Sequence, residues 1–139
     1  MALYAGVIYP ATVGWCLVLL VVAIATLVRV RLHPILEWVV TGMWIVTGIQ
    51  AIAVVIALLS GNDAGIVLTV GYLLATVAVL PLLGIGRLGA PDAAAADPDP
   101  NRPVLAPDQI ARVDAGAAAI VAVTAAVLAW RIAVLLGAA

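Results

Sequence analysis

Long apolar segments separated by short polar ones dominate the pattern along this chain. About 20 apolar residues span the hydrocarbon core of a bilayer as a helix, and four runs approach or exceed that length. They predict helices at about residues 3–28, 35–59, 65–83 and 108–136. Because these helices follow one another along the chain, consecutive helices are expected to pack antiparallel to each other. The pattern therefore predicts an all-α integral membrane protein, a single membrane domain over residues 1–139 with four transmembrane helices in an antiparallel bundle.

One extended polar stretch interrupts this pattern, between the third and fourth runs. Residues 87–106 are rich in Pro, Asp and Ala. The prolines exclude a long helix, although residues 93–96, all alanine, can form a helical turn. We expect a flexible linker here. Pro107 suits the first turn of the next helix, and Asp108 suits the positive end of its dipole.

The composition agrees with a membrane location and excludes several function classes. Hydrophobic residues make up 67% and charged residues 9%, against roughly half and a quarter in soluble domains. A net charge of −1 offers no basic surface to nucleic acid. Cys16 is the single cysteine, so no intramolecular disulfide can form. All six Lys or Arg residues are arginine, and Ala and Val are abundant. This composition is typical of a GC-rich bacterial genome.

The arginines predict the orientation. Arg29 and Arg31 follow the first run, three more arginines lie in or beside the linker, and the connection between the second and third runs carries none. Because cytoplasmic loops carry the excess of positive charge, loops 29–34 and 87–112 are expected in the cytoplasm. Both termini then lie outside a bacterial plasma membrane. A cleaved secretory signal is not indicated, since the charges come after the first apolar run.

Two helix faces are predicted to make close contacts. Apolar contact does not drive helices together in lipid. Close packing through small residues and hydrogen bonds between helices must therefore hold them together. On the predicted fourth helix, small residues recur at alternating steps of three and four: Ala115, Ala118, Ala122, Ala125 and Ala129. On the second helix the same spacing joins Thr41, Trp44 and Gly48. Both faces are predicted to contact another helix of this chain or of a partner.

Gln50 and Arg131 are polar residues inside predicted spans. Gln50 lies near the middle of the second span, where its amide needs a partner in the absence of water. It is interpreted either as a hydrogen-bonding contact between helices or as part of a substrate or ion pathway. Arg131 lies beside Trp130 near the end of the chain. It either extends to the headgroups or contacts another protein chain.

The remaining polar residues predict no catalytic chemistry. Glu37 lies near the cytoplasmic end of the second helix, close to Arg29, Arg31 and His33, and an interfacial ion pair explains it. One His and one Glu are too few to hold a metal ion or a haem. No nucleophile lies with a base in a predicted span. We therefore predict a protein that is not an enzyme and has no cofactor.

A small apolar chain with helix-packing faces and little soluble mass is what a supporting subunit requires. The leading hypothesis is a non-catalytic accessory or structural subunit of a larger bacterial membrane complex. Its partners would be membrane lipids and larger integral membrane subunits, or further copies of itself. The alternative is a small homo-oligomeric transporter or channel, suggested by Gln50.

Overall fold

The computed structural model describes residues 2–61, 65–97, 99 and 101–138. The structure is all-helical, with 86% helix and no strand among these residues. Four of its helical segments are long and apolar enough to cross a membrane. The helices are α1, a π-helical turn Tyr4–Ile8 continuing as Tyr9–Val28; α2, His33–Leu59; α3, Ile66–Val79; the short α4, Pro91–Ala96; and α5, Pro107–Leu135.

Tight 3₁₀ turns join these helices. Val30–Leu32 connects α1 to α2, while Leu80–Leu82 and Ile85–Gly89 follow α3. Pro81 lies in the first turn after α3, where its missing N–H and its ring are incompatible with a continued α-helix. The α-helical part of the third span therefore ends at Val79, whereas the sequence predicted about residue 83.

The linker contains one short helix. In α4, Pro91 occupies the first turn and Asp92 the positive end, as helix starts favour. After α4 the backbone N–H of Asp99 donates to the Asp97 carboxylate, and Arg102 pairs with it. These contacts hold the pKa of Asp97 below its ordinary value. Asn62 and Asp63, which the sequence predicts to form a turn, lie outside the described residues.

Helix α5 lies at the centre of the packing. It contacts α1 along its length and also contacts α3 and the Ile85–Gly89 turn, whereas α2 packs mainly on α1 and touches α3 and α5 little. The five predicted alanines of α5 are all buried, at most 1% exposed. They share a core cluster, Ala129 excepted, with Cys16, Leu19 and Ala23 of α1. Small side chains on α5 thus allow the approach of α1, while the seam between α2 and α3 stays loosely closed.

Candidate functional site

A buried carboxylate organises the end of the molecule at which α1 ends and α2 and α5 begin, here called the arginine-rich end. Asp114 is 5% exposed. Its Oδ2 lies 3.0 Å from His33 Nε2, and its Oδ1 accepts the backbone N–H of Gly86 at 2.7 Å. Both carboxylate oxygens are therefore partnered, and one side chain joins three separate parts of the chain.

The local sequence explains why these groups converge. Pro107 starts α5, where the Gln109 side chain accepts the backbone N–H of Ala106 at 2.9 Å. Asp114 then lies about two turns inside α5 on its buried side. His33 is the first residue of α2, followed by Pro34, and the preceding 3₁₀ turn directs it towards α5.

Gly86 is present because nothing larger fits. A Cβ at this position would lie 2.6 Å from the carbonyl oxygen of Ile110 and 2.7 Å from Asp114 Oδ1. The absent side chain lets the backbone of the 3₁₀ turn approach the carboxylate closely. Gly86 thereby fixes the segment after α3 against the first turns of α5.

A second ion pair lies beside the first. Arg87 Nη2 donates to Glu37 Oε1 at 2.8 Å, with the two side chains 69% and 45% exposed. It links α2 to the turn that carries Gly86. Glu37 therefore forms an ion pair, as the sequence predicted, but its partner is Arg87 rather than Arg29, Arg31 or His33. The reason is that folding brings the turn after α3 over the first turns of α2.

We call His33, Glu37, Gly86, Arg87 and Asp114 the polar network. An imidazole whose Nε2 is held by a carboxylate has a defined orientation. No protein-family model, curated protein or solved structure matches this chain. Within the described residues no group of three or more His, Cys, Asp or Glu is placed to hold a metal ion. The polar network is suited to tying helices together.

Gln50 faces the interior, as a contact between helices would require. It is 1% exposed, yet among the described residues neither amide atom has a hydrogen-bond partner. The hydroxyls of Tyr4 and of Thr47, one turn before Gln50, are buried and unpartnered in the same way. The Tyr4 hydroxyl approaches the Gln50 side chain outside hydrogen-bond geometry. The contact between helices predicted for Gln50 thus involves Tyr4 of α1, and its hydrogen bond stays a prediction.

The predicted contact face of α2 points outward. Thr41, Trp44 and Gly48 are exposed, so no helix within the described chain packs on them, which corrects the prediction for contacts inside the chain. The interior side of α2 carries instead Leu36, Met43, Thr47, Gln50 and Val54. Spacing shows which residues share a face but not which face turns inward, and α2 is apolar on both.

Arg131 is exposed near the end of α5. Its guanidinium lies 5.8 Å from the ring centroids of both Trp130 and Tyr72. Aromatic faces stabilise a cation at this distance. Arg131 thus has partners within the chain, one of them on α3, in addition to the two roles that the sequence suggested.

Sequence reasoning missed Asp114 and Gly86. One signal for Asp114 was available, because it lies three residues after Ala111 and four before Ala118, on the same face as the small residues. A carboxylate on a face predicted to be buried needs a partner. Gly86 had no such signal, since its role depends on a contact with a residue 28 positions away.

Proposed function

We propose that this protein is a bacterial plasma-membrane protein that acts as a non-catalytic accessory subunit and holds a transmembrane helix of a larger partner. In this proposal its four long helices cross the bilayer as an antiparallel bundle. The four apolar segments, each at least 24 residues long, support insertion. The arginines support a cytoplasmic position for the arginine-rich end, with both termini outside.

Trp44 is the observation that carries this proposal. It lies near the middle of α2 and is 46% exposed. Tryptophan prefers the membrane interfaces, where Trp38, 79% exposed, would lie. An exposed Trp near mid-membrane, with Thr41 one turn before it and Gly48 one turn after it, offers a partner helix aromatic, hydrogen-bonding and close-packing surface together.

A groove beside Trp44 gives the partner room. Helix α2 and the turns that follow α3 border a cavity of about 570 Å³ at the arginine-rich end. Trp38, Thr41 and Trp44 line one wall, and Leu83 and Gly84 line the other. The Glu37–Arg87 pair closes the groove at its polar end. Exposed ion pairs are worth at most about 1 kcal/mol, so a partner's own charge can replace either member.

Site-specific photocrosslinking in native membranes tests this function. A photoreactive phenylalanine derivative replaces Trp44 in one variant and Val21, exposed on α1, in the control. We expect the Trp44 position alone to give a discrete adduct with a transmembrane segment of one larger protein, and Gly48→Leu to abolish it. Equal labelling at both positions, or lipid adducts alone, would contradict the proposal.

A homo-oligomeric transporter or channel is the second candidate, and the unpartnered interior amide of Gln50 supports it. In that case the photoadduct would have twice the mass of the chain. Purified protein in liposomes would then conduct ions or move amphiphiles, and Gln50→Leu would reduce the flux. If the liposomes show no flux and the photoadduct contains a larger protein, the transporter or channel is excluded and the accessory function is supported.

A further inference from the structure

An open cavity beside the turn between α1 and α2 is a second candidate binding site. Its volume is about 780 Å³, within the range of sites for small molecules. It is lined by residues 29–32 and by Asp108 at the start of α5. It shares no lining residue with the groove beside Trp44, so it goes beyond the proposed partner site.

Two guanidinium groups line this cavity because the helix is broken at Arg29. Residues two apart in a continuous α-helix do not share a face, so Arg29 and Arg31 would lie on different faces if α1 continued. The backbone of Arg29 is extended instead, with φ −131° and ψ 93°, and a 3₁₀ turn follows it. The break in the helix thus brings both side chains to one cavity.

The charges around this cavity are unused within the part of the chain that the structure describes. Glu37, which the sequence placed near these arginines, pairs with Arg87 instead. Among the described residues Arg29 and Arg31 form no ion pair, and neither does the exposed Asp108. The cavity therefore presents two free positive charges and one free negative charge to an occupant.

An apolar stripe on α1 leads to the level of this cavity. Four residues that recur at steps of four, three and four are each more than half exposed: Leu17, Val21, Ile24 and Val28. This spacing places them on one face of the helix, and the stripe ends directly before Arg29. A lipid whose acyl chains lie against α1 therefore has its headgroup at the level of the cavity.

We propose that this cavity binds the headgroup of phosphatidylethanolamine, a phospholipid that carries a phosphate and a primary ammonium. The guanidiniums of Arg29 and Arg31 donate to the phosphate oxygens, a pairing that arginine favours. The Asp108 carboxylate accepts N–H groups of the ammonium. An anionic headgroup leaves this carboxylate beside a like charge, and a choline headgroup has no N–H to donate. This site requires the membrane insertion proposed above, but neither the partner helix nor the orientation.

Native mass spectrometry of the purified, delipidated full chain in detergent micelles tests this site. Phosphatidylethanolamine, phosphatidylglycerol and phosphatidylcholine with identical acyl chains are titrated separately, and the half-saturating concentration of the first bound lipid is measured. We expect phosphatidylethanolamine to bind at a concentration about threefold below that of either other lipid, since one exposed ion pair distinguishes them. Equal half-saturating concentrations for the three lipids would overturn the proposal.

Variants that each remove one positive charge locate the phosphate contact. Arg29→Gln and Arg31→Gln should each raise the half-saturating concentration of phosphatidylethanolamine about fivefold, the equivalent of about 1 kcal/mol for an arginine near a headgroup. Arg112→Gln removes the same charge from an exposed residue that does not line the cavity, and it should have little effect. No loss in the first two variants, or an equal loss in all three, would overturn the proposal.

Asp108→Asn tests the ammonium contact through a change of selectivity. It should weaken binding of phosphatidylethanolamine about threefold. Phosphatidylglycerol should then bind at least as tightly, because the lining charges of the cavity are all positive. A misfolded protein does not gain affinity for one lipid, so this variant decides the question even if an arginine variant does not fold. An unchanged preference for phosphatidylethanolamine would contradict the proposal.

Free phosphoethanolamine distinguishes the lipid from a soluble ligand of the same chemistry. At a concentration equal to that of the lipid it should not displace phosphatidylethanolamine, because it lacks the acyl chains that lie against α1. Displacement at equal concentration would assign the cavity to a soluble ligand and overturn the proposal. The photoadduct at Trp44 is measured independently of these titrations, so either proposal can fail while the other stands.

Discussion

The indole ring of Trp15 lies directly over Gly42, so that α1 and α2 meet where α2 has no side chain. A Cβ at position 42 would overlap the ring, which also donates its N–H to the carbonyl oxygen of Val39 at 3.0 Å. Because α2 packs mainly on α1, this contact is a principal attachment of α2 to the rest of the molecule.

Gly42→Ala should therefore lower the free energy of unfolding, by about 1–3 kcal/mol for an overpacked contact. The measurement is thermal or chemical unfolding of the detergent-solubilised protein. Gly14→Ala on α1 is the matched control, because nothing lies within 4 Å of its added methyl group. A Gly42→Ala protein as stable as the Gly14→Ala protein would show that the ring moves aside freely.

Asp114→Leu should destabilise the protein by about 3 kcal/mol, because it leaves His33 and the Gly86 N–H without their buried partner. Asp114→Asn retains one acceptor oxygen and should lose less. Asp108, exposed at the start of the same helix, supplies the control Asp108→Asn with a change within about 0.5 kcal/mol. A double-mutant cycle with His33→Leu should give a coupling energy of at least about 1 kcal/mol. Strictly additive effects would refute the pairing.

Ala122→Leu and Ala125→Leu should each disrupt the packing of α5 on α1, at a cost of about 1–3 kcal/mol. Both alanines are 1% exposed, whereas Val127 is 51% exposed on the outer side of the same helix. Val127→Leu should therefore behave as wild type when the three variants are compared by thermal unfolding in detergent. Equal tolerance at all three positions is the result that would remove this face from the packing.

Arg131→Lys should be nearly neutral, since a flexible ammonium reaches both headgroups and aromatic faces. Arg131→Ala should cost at most about 1 kcal/mol, the value of an exposed cation–π contact. Unfolding in lipid nanodiscs and recovery of the photoadduct partner are the two readouts. A large loss of the partner with Lys would mark Arg131 as an interface residue that needs planar guanidinium geometry.

Single introduced cysteines should report the orientation. Ser60→Cys and Ala138→Cys are expected to react with an impermeant thiol reagent from outside intact cells, and Ala95→Cys only after the membrane is opened. The native Cys16 is 2% exposed and should contribute little labelling. The reverse pattern would place the arginine-rich end outside and contradict the positive-inside prediction.

Much of the architecture follows from local pattern. The prediction of an all-helical chain with four apolar helices of membrane-spanning length is confirmed, because such runs leave few alternatives to a helix that satisfies its own backbone. The small-residue face of α5 was also visible in the spacing, and the structure buries it. The contact of Thr41, Trp44 and Gly48 with a partner helix stays a prediction, and spacing did not show that this face lies outside the bundle, since a helix that is apolar all round does not reveal its inner face.

The sequence by itself determined where the helices lie and which residues share a face, because helix periodicity and hydrophobic length are local properties. Only the tertiary structure decided which faces meet. His33 and Asp114 are 81 positions apart, and Gly86 and Asp114 are 28 apart. No local spacing relates such residues. Their pairing arises when the turns at one end of the molecule converge and a buried carboxylate takes the donors that reach it.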